Sequence, residues 1–248
     1  ASITDRVLNS SASLNLQNVG NAAGTRLTLR INEAAEVTSV QLNGATAVFT
    51  KGQEPLGSKN IQRIIVNLPN IQPNANFTVK VDYKLKVDEN TGLNAISPLG
   101  SQFLPLSFWY PTPNSHYAPR GADFAPFKLT VNSGETVISS GAGSGTTFEQ
   151  RLSGQPFFLT GSWETLESKG VTVYLPKGAT DSEKQRANEL AGLMSEASTF
   201  TASLLGTASA VPLKIVAVRR GSGFADSGTI LLDYAAFRRQ KIDSQTAM

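Results

Sequence analysis

Hydrophobic and polar residues alternate along the first two-thirds of this chain with the period of a β-strand. In residues 77–87 the odd positions are apolar, and the even positions are Thr, Lys, Asp, Lys and Lys. Successive side chains of a strand point to opposite faces, so one face meets a core and the other meets water. The same pattern predicts strands at residues 13–19, 26–31, 37–42, 61–68, 127–131 and 157–160. Turn signals such as Asn43-Gly44 separate them, which predicts an antiparallel β-sandwich or saddle over residues 1–165.

The pattern changes at about residue 169, where one helix follows one strand. Residues 171–175 predict a strand, and Thr180 with Glu183 forms the sequence signature of a capping box. One helical face is predicted from the spacing of Ala187, Leu190, Met194, Ala197, Thr201 and Leu204, and Gly206 is placed to end the helix. Strands at 213–218 and 229–232 follow, and Asp243 or Ser244 could cap another helix. We therefore predict a mostly β protein with a partial α/β domain over residues 166–248.

Composition excludes several classes of function. The net charge of +3 is spread over both halves, and no basic run with interleaved aromatic residues is present, so we expect no nucleic-acid partner. No apolar run approaches the ~20 residues that span a bilayer. The absence of cysteine excludes disulfides and thiolate metal sites. A start that fits a processed mature end, and a polar surface with few charges, lead us to expect an exported protein, periplasmic or extracellular.

The chain lacks the residues of the common hydrolytic sites. Its one histidine, His116, lies among polar residues, and a catalytic zinc needs about three protein ligands. A serine triad would also need His116 as its base, and no G-x-S-x-G motif is present. We interpret His116 as a polar loop residue. We predict no catalytic residue and no metal ligand in this chain.

A glycine-rich segment at residues 221–228 offers a candidate binding site. A phosphate-binding loop would have to precede a helix, but the residues after Gly228 read as a strand, which argues against nucleotide binding. Asp226 has two interpretations. Its carboxylate could bind a substrate ammonium group, or it could form an Asx turn that starts the next strand.

Segments along most of the chain, in order, resemble the amino-terminal part of the gluzincin zinc aminopeptidases, the membrane alanyl aminopeptidase family. The segments are residues 36–44, 108–113, 125–131, 155–161 and 184–206. The resemblance implies a β-saddle followed by the first α/β layer of a thermolysin-like catalytic domain. It places the family's Gly-x-Met-Glu-Asn loop, which holds the substrate's free amino group, on Ser222, Gly223, Phe224, Ala225 and Asp226. These five residues are therefore the expected substrate-binding residues.

This sequence departs from the family's loop. Ala225 takes the position of the glutamate and Asp226 that of the asparagine. Asp226 could replace the glutamate only if the backbone shifted by one residue.

The resemblance implies a fragment of a zinc metallopeptidase that acts on peptide or protein substrates. Zinc, its ligands and the general base are expected only in the full-length parent, after Met248, so this chain alone is expected to be inactive. One alternative is a non-catalytic binding or assembly module on a peptidase-derived scaffold, since one fold serves many functions. Another is a peptide-binding β-sandwich of unrelated ancestry. Apolar residues near the end, such as Phe237 or Ile242, are expected to be exposed and to promote self-association.

Overall fold

A computed structural model of the chain describes residues 1–57, 59–113, 124–207, 211–221 and 223–238. The chain divides into two compact units. Unit 1 contains Ala1–Asn90, Asn94–Ile96 and Phe103–Phe124, and unit 2 contains Thr91–Leu93, Ser97–Gln102 and Ala125–Met248. The predicted domain boundary at residue 165 stays a prediction.

The strands of the first half are β1 (Ser2–Thr4), β2 (Val7–Gln17), β3 (Gly24–Asn32), β4 (Ala35–Leu42), β5 (Ala45–Thr46), β6 (Phe49–Leu56), β7 (Lys59–Ile71), β8 (Asn76–Lys86), β9 (Asn94–Ser97), β10 (Gly100–Phe103) and β11 (Thr112–Pro113), with a 3-10 turn at Pro105–Ser107. The second half contains β12 (Ala125–Thr130), β13 (Thr136–Ile138), β14 (Ala142–Ser144), β15 (Thr147–Gly154), β16 (Phe158–Gly161), β17 (Trp163–Ser168), β18 (Val171–Pro176), helix α1 (Asp181–Leu205), β19 (Leu213–Val218), β20 (Phe224–Asp226), β21 (Thr229–Asp233) and a 3-10 turn at Tyr234–Phe237.

Unit 1 is built from two antiparallel sheets, in the strand orders β1-β2-β8-β4-β5 and β11-β3-β7-β6. The alternation that predicted β8 matches its burial, since Phe77, Val79, Val81, Tyr83 and Leu85 are all buried. The apolar face of β8 therefore lies in the core of this unit. The predicted fold class, mostly β with antiparallel sheets, is confirmed.

Unit 2 contains a mixed sheet of order β17-β18-β19-β21-β20. Strands β18, β19 and β21 are parallel to one another, whereas β17 and β20 are antiparallel edges. Helix α1 connects β18 to β19 and packs on one face of this sheet. The core between them includes Val173, Leu190, Ile215 and Phe237. Two smaller sheets, β13-β16-β10-β9 and β12-β15-β14, complete the topology.

The apolar face predicted for α1 is buried only in the first half of the helix. Ala187 and Leu190 are buried, whereas Ala197 and Thr201 are exposed and Leu204 is 69% exposed. The reason is length: 25 helical residues extend about 37 Å, but the six residues of β18 extend only about 20 Å. The last turns of α1 therefore extend past the strand on which its first half packs.

The expectation that Phe237 is exposed is wrong. Its side chain is fully buried, because the turn at Tyr234–Phe237 folds back against α1 and β19 and joins their core. Ile242, and the helix cap expected at Asp243 or Ser244, lie outside the described residues. Within the described residues, no helix is both long enough and apolar enough to span a bilayer.

The predicted capping box of α1 is confirmed, and it supports a stability prediction. The Thr180 hydroxyl accepts a hydrogen bond from the Glu183 N–H, and Glu183 Oε2 accepts one from the Thr180 N–H at 2.8 Å. Thr180→Ala is expected to lower the free energy of unfolding by about 1 kcal/mol. The control Thr199→Ala changes an exposed residue inside the helix, where alanine has the higher helix propensity, and should be neutral or slightly stabilising. Urea denaturation followed at 222 nm measures both; equal effects would contradict the role of the cap.

Candidate functional site

The predicted binding segment forms a hairpin at the edge of the mixed sheet. Asp226 pairs with Thr229, and Phe224 pairs with Leu231. The two turn residues, Ser227 and Gly228, both have positive φ, at 45° and 79°, as a tight two-residue hairpin turn requires. Of the five predicted substrate-binding residues, Gly223, Phe224, Ala225 and Asp226 lie on this hairpin, and Ser222 lies outside the described residues.

These predicted residues do not share one face of the sheet. Side chains alternate along a strand, so Phe224 and Asp226 point to one face and Ala225 points to the other, the face covered by α1. The Phe224 ring lies edge-on to Phe157, with ring centroids 5.1 Å apart. Asp226 therefore does not reach the side of the sheet on which Ala225 lies.

Asp226 faces buried hydroxyl groups. Its Oδ2 atom is buried and forms no hydrogen bond of normal geometry with any described residue, and the same is true of the fully buried Ser140 hydroxyl. Burial raises the pKa of the Asp226 carboxyl, and the nearby Ser227 and Ser140 hydroxyls only partly oppose that shift. Burial therefore disfavours the charged form of this side chain.

A buried lysine in the same row was missed by sequence reasoning. The register pairs Lys214 with Thr229 and Thr229 with Asp226, so the three side chains lie side by side on one face. Lys214 Nζ donates to the Ser139 carbonyl at 2.8 Å and lies 5.6 Å from the Phe148 ring centroid. Burial lowers its pKa. In the sequence this lysine is one polar residue inside an otherwise apolar strand, and that interruption was the available signal.

A second missed residue lies beside the loop that leads to β20. The Gln102 side chain is buried and donates from Nε2 to the Gly92 carbonyl at 2.6 Å. Gly221 packs against both groups: a Cβ added there would lie 1.9 Å from the Gly92 oxygen and 2.5 Å from Gln102 Nε2. The Gly223 N–H donates to the Leu231 carbonyl at 2.9 Å. These contacts lie directly before the start of β20.

The described residues do not fit a zinc site. Among them, no group of three or more His, Asp or Glu side chains is close enough to hold a metal ion. His116 lies outside the described residues. No step through zinc is therefore assigned to this chain.

The raised pKa of Asp226 predicts how its replacement changes stability with pH. A folded-state pKa above the unfolded value means that the native state holds the proton longer, so stability falls as pH rises through that window. Asp226→Asn removes this pH-dependent loss of stability, because asparagine does not titrate. We expect the variant to gain stability relative to wild type at pH 7 and to lose that advantage below about pH 4.

Thermal denaturation at a series of pH values measures the difference. Asp88→Asn, at a mostly exposed side chain, is the control. If the melting temperatures of wild type and Asp226→Asn changed with pH in the same way, the raised pKa of the Asp226 carboxyl would be contradicted.

Comparison with known proteins identifies the fold but no family. No family model and no curated protein sequence matches this chain. The structure of yeast leukotriene A4 hydrolase in complex with bestatin superposes on 95% of the chain with a TM-score of 0.72 at 14% identity. The chain shares the fold of the amino-terminal region of this hydrolase. Two further structures, one of native yeast leukotriene A4 hydrolase and one of the native enzyme from Saccharomyces cerevisiae, give TM-scores of 0.71 and 0.70. Each covers 95% of this chain at 14% identity.

This chain spans only 39%, 39% and 40% of the lengths of the three hydrolase chains. At such low identity the likeness establishes the fold alone.

Proposed function

We propose that this chain is the amino-terminal part of a zinc metallopeptidase-like hydrolase of the gluzincin aminopeptidase family. The observation that carries the proposal is the likeness of fold to leukotriene A4 hydrolase over 95% of the chain. The order of sequence segments that resemble the aminopeptidases supports the same assignment. The zinc ligands and the general base are proposed to belong to other parts of the parent protein.

Within that parent, we propose that β20 forms one wall of the peptide-binding cleft. In a two-residue hairpin the pair that flanks the turn, Asp226 and Thr229, is hydrogen-bonded, and the next pair is not. The N–H and C=O groups of Ala225 therefore point to the outer edge of the sheet. Within the described part of the chain no strand pairs with that edge, and Ala225 is exposed. An extended peptide can add to such an edge through main-chain hydrogen bonds.

Peptide binding is tested on the 248-residue protein by NMR titration with an extended peptide. We expect saturable shifts at Phe224, Ala225 and Asp226. Ala225→Pro removes the outward N–H donor and should weaken binding at least ~10-fold, whereas the control Ala225→Val keeps the donor and should bind like wild type. If the peptide caused no NMR shifts at β20, or if both variants lost peptide affinity equally, the proposal that β20 forms a wall of the cleft would be contradicted.

Metal analysis and an assay with amino-acid anilides test the inactivity proposed for this chain alone. We expect neither stoichiometric zinc nor turnover. Stoichiometric zinc together with turnover would refute that proposal. In the gene, an H-E-x-x-H motif after the codon for Met248 would support the peptidase parent.

One observation supports the expected self-association, and it fits the second candidate, a non-catalytic binding or assembly module on a peptidase-derived scaffold. The end of α1 presents Phe200, Leu204 and Leu205 at 63%, 69% and 71% exposure, and exposed apolar patches promote association. We propose that this patch, rather than Phe237, carries any self-association. Sedimentation of wild type and Phe200→Ser at high concentration tests it: a monomeric wild type, or oligomers that persist in the variant, would contradict the role of the patch.

A further inference from the structure

Two arginines occupy directly paired positions in the sheet β11-β3-β7-β6 of unit 1. The register of β3 with β7 pairs Arg30 directly with Arg63. The next strand, β6, places Gly52 opposite Arg63, and β11 places Thr112 opposite Arg30. Directly paired residues share a face, so the two arginine side chains leave the sheet from neighbouring positions on the same face. Like charges in this position destabilise a sheet unless something compensates them.

One carboxylate compensates only part of this charge. Glu54, on β6, forms an ion pair with Arg30. It lies two residues from Gly52 and therefore on the same face of the sheet. Arg63 forms no ion pair with any residue that the structure describes. Among the described residues, two cations and one anion leave this cluster with one positive charge that no carboxylate pairs.

The cluster also has unused hydrogen-bond donors. Arg30 is only 8% exposed, and its Nε and Nη1 atoms are buried with no hydrogen-bond partner among the residues that the structure describes. Arg63 Nε is buried and unpartnered in the same way. Burying a charged donor without an acceptor costs free energy. Three guanidinium nitrogen atoms on this face are therefore available to an acceptor from outside the described residues.

The neighbouring strand adds no side chain next to Arg63. Its Gly52 lies beside the guanidinium group, and a Cβ there would be in ordinary van der Waals contact, 3.7 Å from Arg63 Nη2. Arg63 is only partly buried, so the cluster is accessible from its side. A group that fits must carry one negative charge and several acceptor atoms. Carboxylate and phosphate oxygens match the fork of a guanidinium group.

We propose that Arg30 and Arg63, with Glu54 orienting Arg30, form a binding site for the oxyanion of a ligand, a carboxylate or a phosphoryl group. The site is separate from the β20 hairpin and does not depend on the function proposed above. Bound oxyanion oxygens accept the free donors of both arginines and neutralise the remaining charge.

The test uses the 248-residue protein with inorganic phosphate, acetate and chloride at matched ionic strength. NMR signals of the arginine Nε–H groups report binding directly. We expect saturable shifts of the Arg30 and Arg63 signals with phosphate, acetate or both, and not with chloride. Saturation by phosphate alone assigns a phosphoryl ligand, and saturation by acetate alone assigns a carboxylate.

Variants separate the site from general salt effects. Arg63→Gln should weaken binding at least ~10-fold, and Arg63→Lys, which keeps the charge but loses the fork, at least ~3-fold. Arg26→Gln changes an exposed arginine on β3, the strand of Arg30, and this variant should bind the oxyanion like wild type. Phosphate also stabilises folded proteins in a general way. We expect this general effect to be the same in every variant, so a difference between variants reports the site. Equal responses to chloride and oxyanions, or equal losses in Arg26→Gln and Arg63→Gln, would overturn the proposal.

Discussion

Gly221→Ala is expected to lower the free energy of unfolding of unit 2 by at least about 3 kcal/mol. Gly221 has a φ of 68°, which costs an alanine about 1 kcal/mol or more. The larger penalty is a collision, since the new Cβ would lie 1.9 Å from the Gly92 oxygen and 2.5 Å from Gln102 Nε2. The Gly92 oxygen is a backbone atom and cannot rotate away, so the loop before β20 must move.

Gly223 provides a matched control two residues away. It also has positive φ, 81°, but nothing lies within 4 Å of the position of its Cβ. Gly223→Ala should therefore show the backbone strain alone, about 1 kcal/mol. Gly134→Ala, with open space and no positive φ, should be neutral or slightly stabilising. Urea denaturation at 222 nm measures all three, and equal costs at Gly221 and Gly223 would show that the loop absorbs the collision.

The same Gly221 variant tests whether the loop positions the candidate site. If the contacts with Gly92 and Gln102 determine where β20 begins, displacement of the loop should increase amide hydrogen exchange at Phe224 and Ala225 as well as lowering stability. Unchanged exchange in a destabilised variant would separate the loop from the hairpin.

Elements set by local pattern were predictable from the sequence. The period of two in residues 77–87 requires only neighbouring residues, and β8 (Asn76–Lys86) follows it closely. The capping box is equally local, because Thr180 and Glu183 are three residues apart. Such features depend on hydrogen bonds and faces that a short segment determines by itself.

Features set by distant residues were not predictable in the same way. The buried contacts of Lys214 depend on the Ser139 carbonyl, 75 positions away, and no periodicity reports that approach. The Arg30–Arg63 pair depends on the register between β3 and β7, which a single strand's pattern does not specify. The helix face failed at Leu204 because its burial depends on the length of the sheet beneath it, a tertiary property.

The candidate site shows the same division. The two strands on either side of the glycine-rich segment were visible in the sequence, and they are β19 and β21. The short strand β20 inside the segment was not predicted. Alternation along β20 places Ala225 and Asp226 on opposite faces, and only the hairpin register decides which of them lies on the face of Lys214 and Thr229. The substrate-binding role predicted for these residues stays a prediction, to be decided by the titration of Ala225→Pro and Ala225→Val.

Phe237→Ala is expected to lower the free energy of unfolding of unit 2 by about 3–5 kcal/mol, the range for removing a fully buried phenylalanine. Phe237 has no exposed surface and packs in the core with Leu190 and Ile215, so its loss leaves a cavity between the 3-10 turn and α1. Phe200→Ala removes the same atoms from a side chain that is 63% exposed, and should change stability by less than about 1 kcal/mol. Thermal and urea denaturation compare the two variants directly. Similar small effects at both positions would mean that the turn at Tyr234–Phe237 is not anchored to the helix, and that the core of this unit is completed without it.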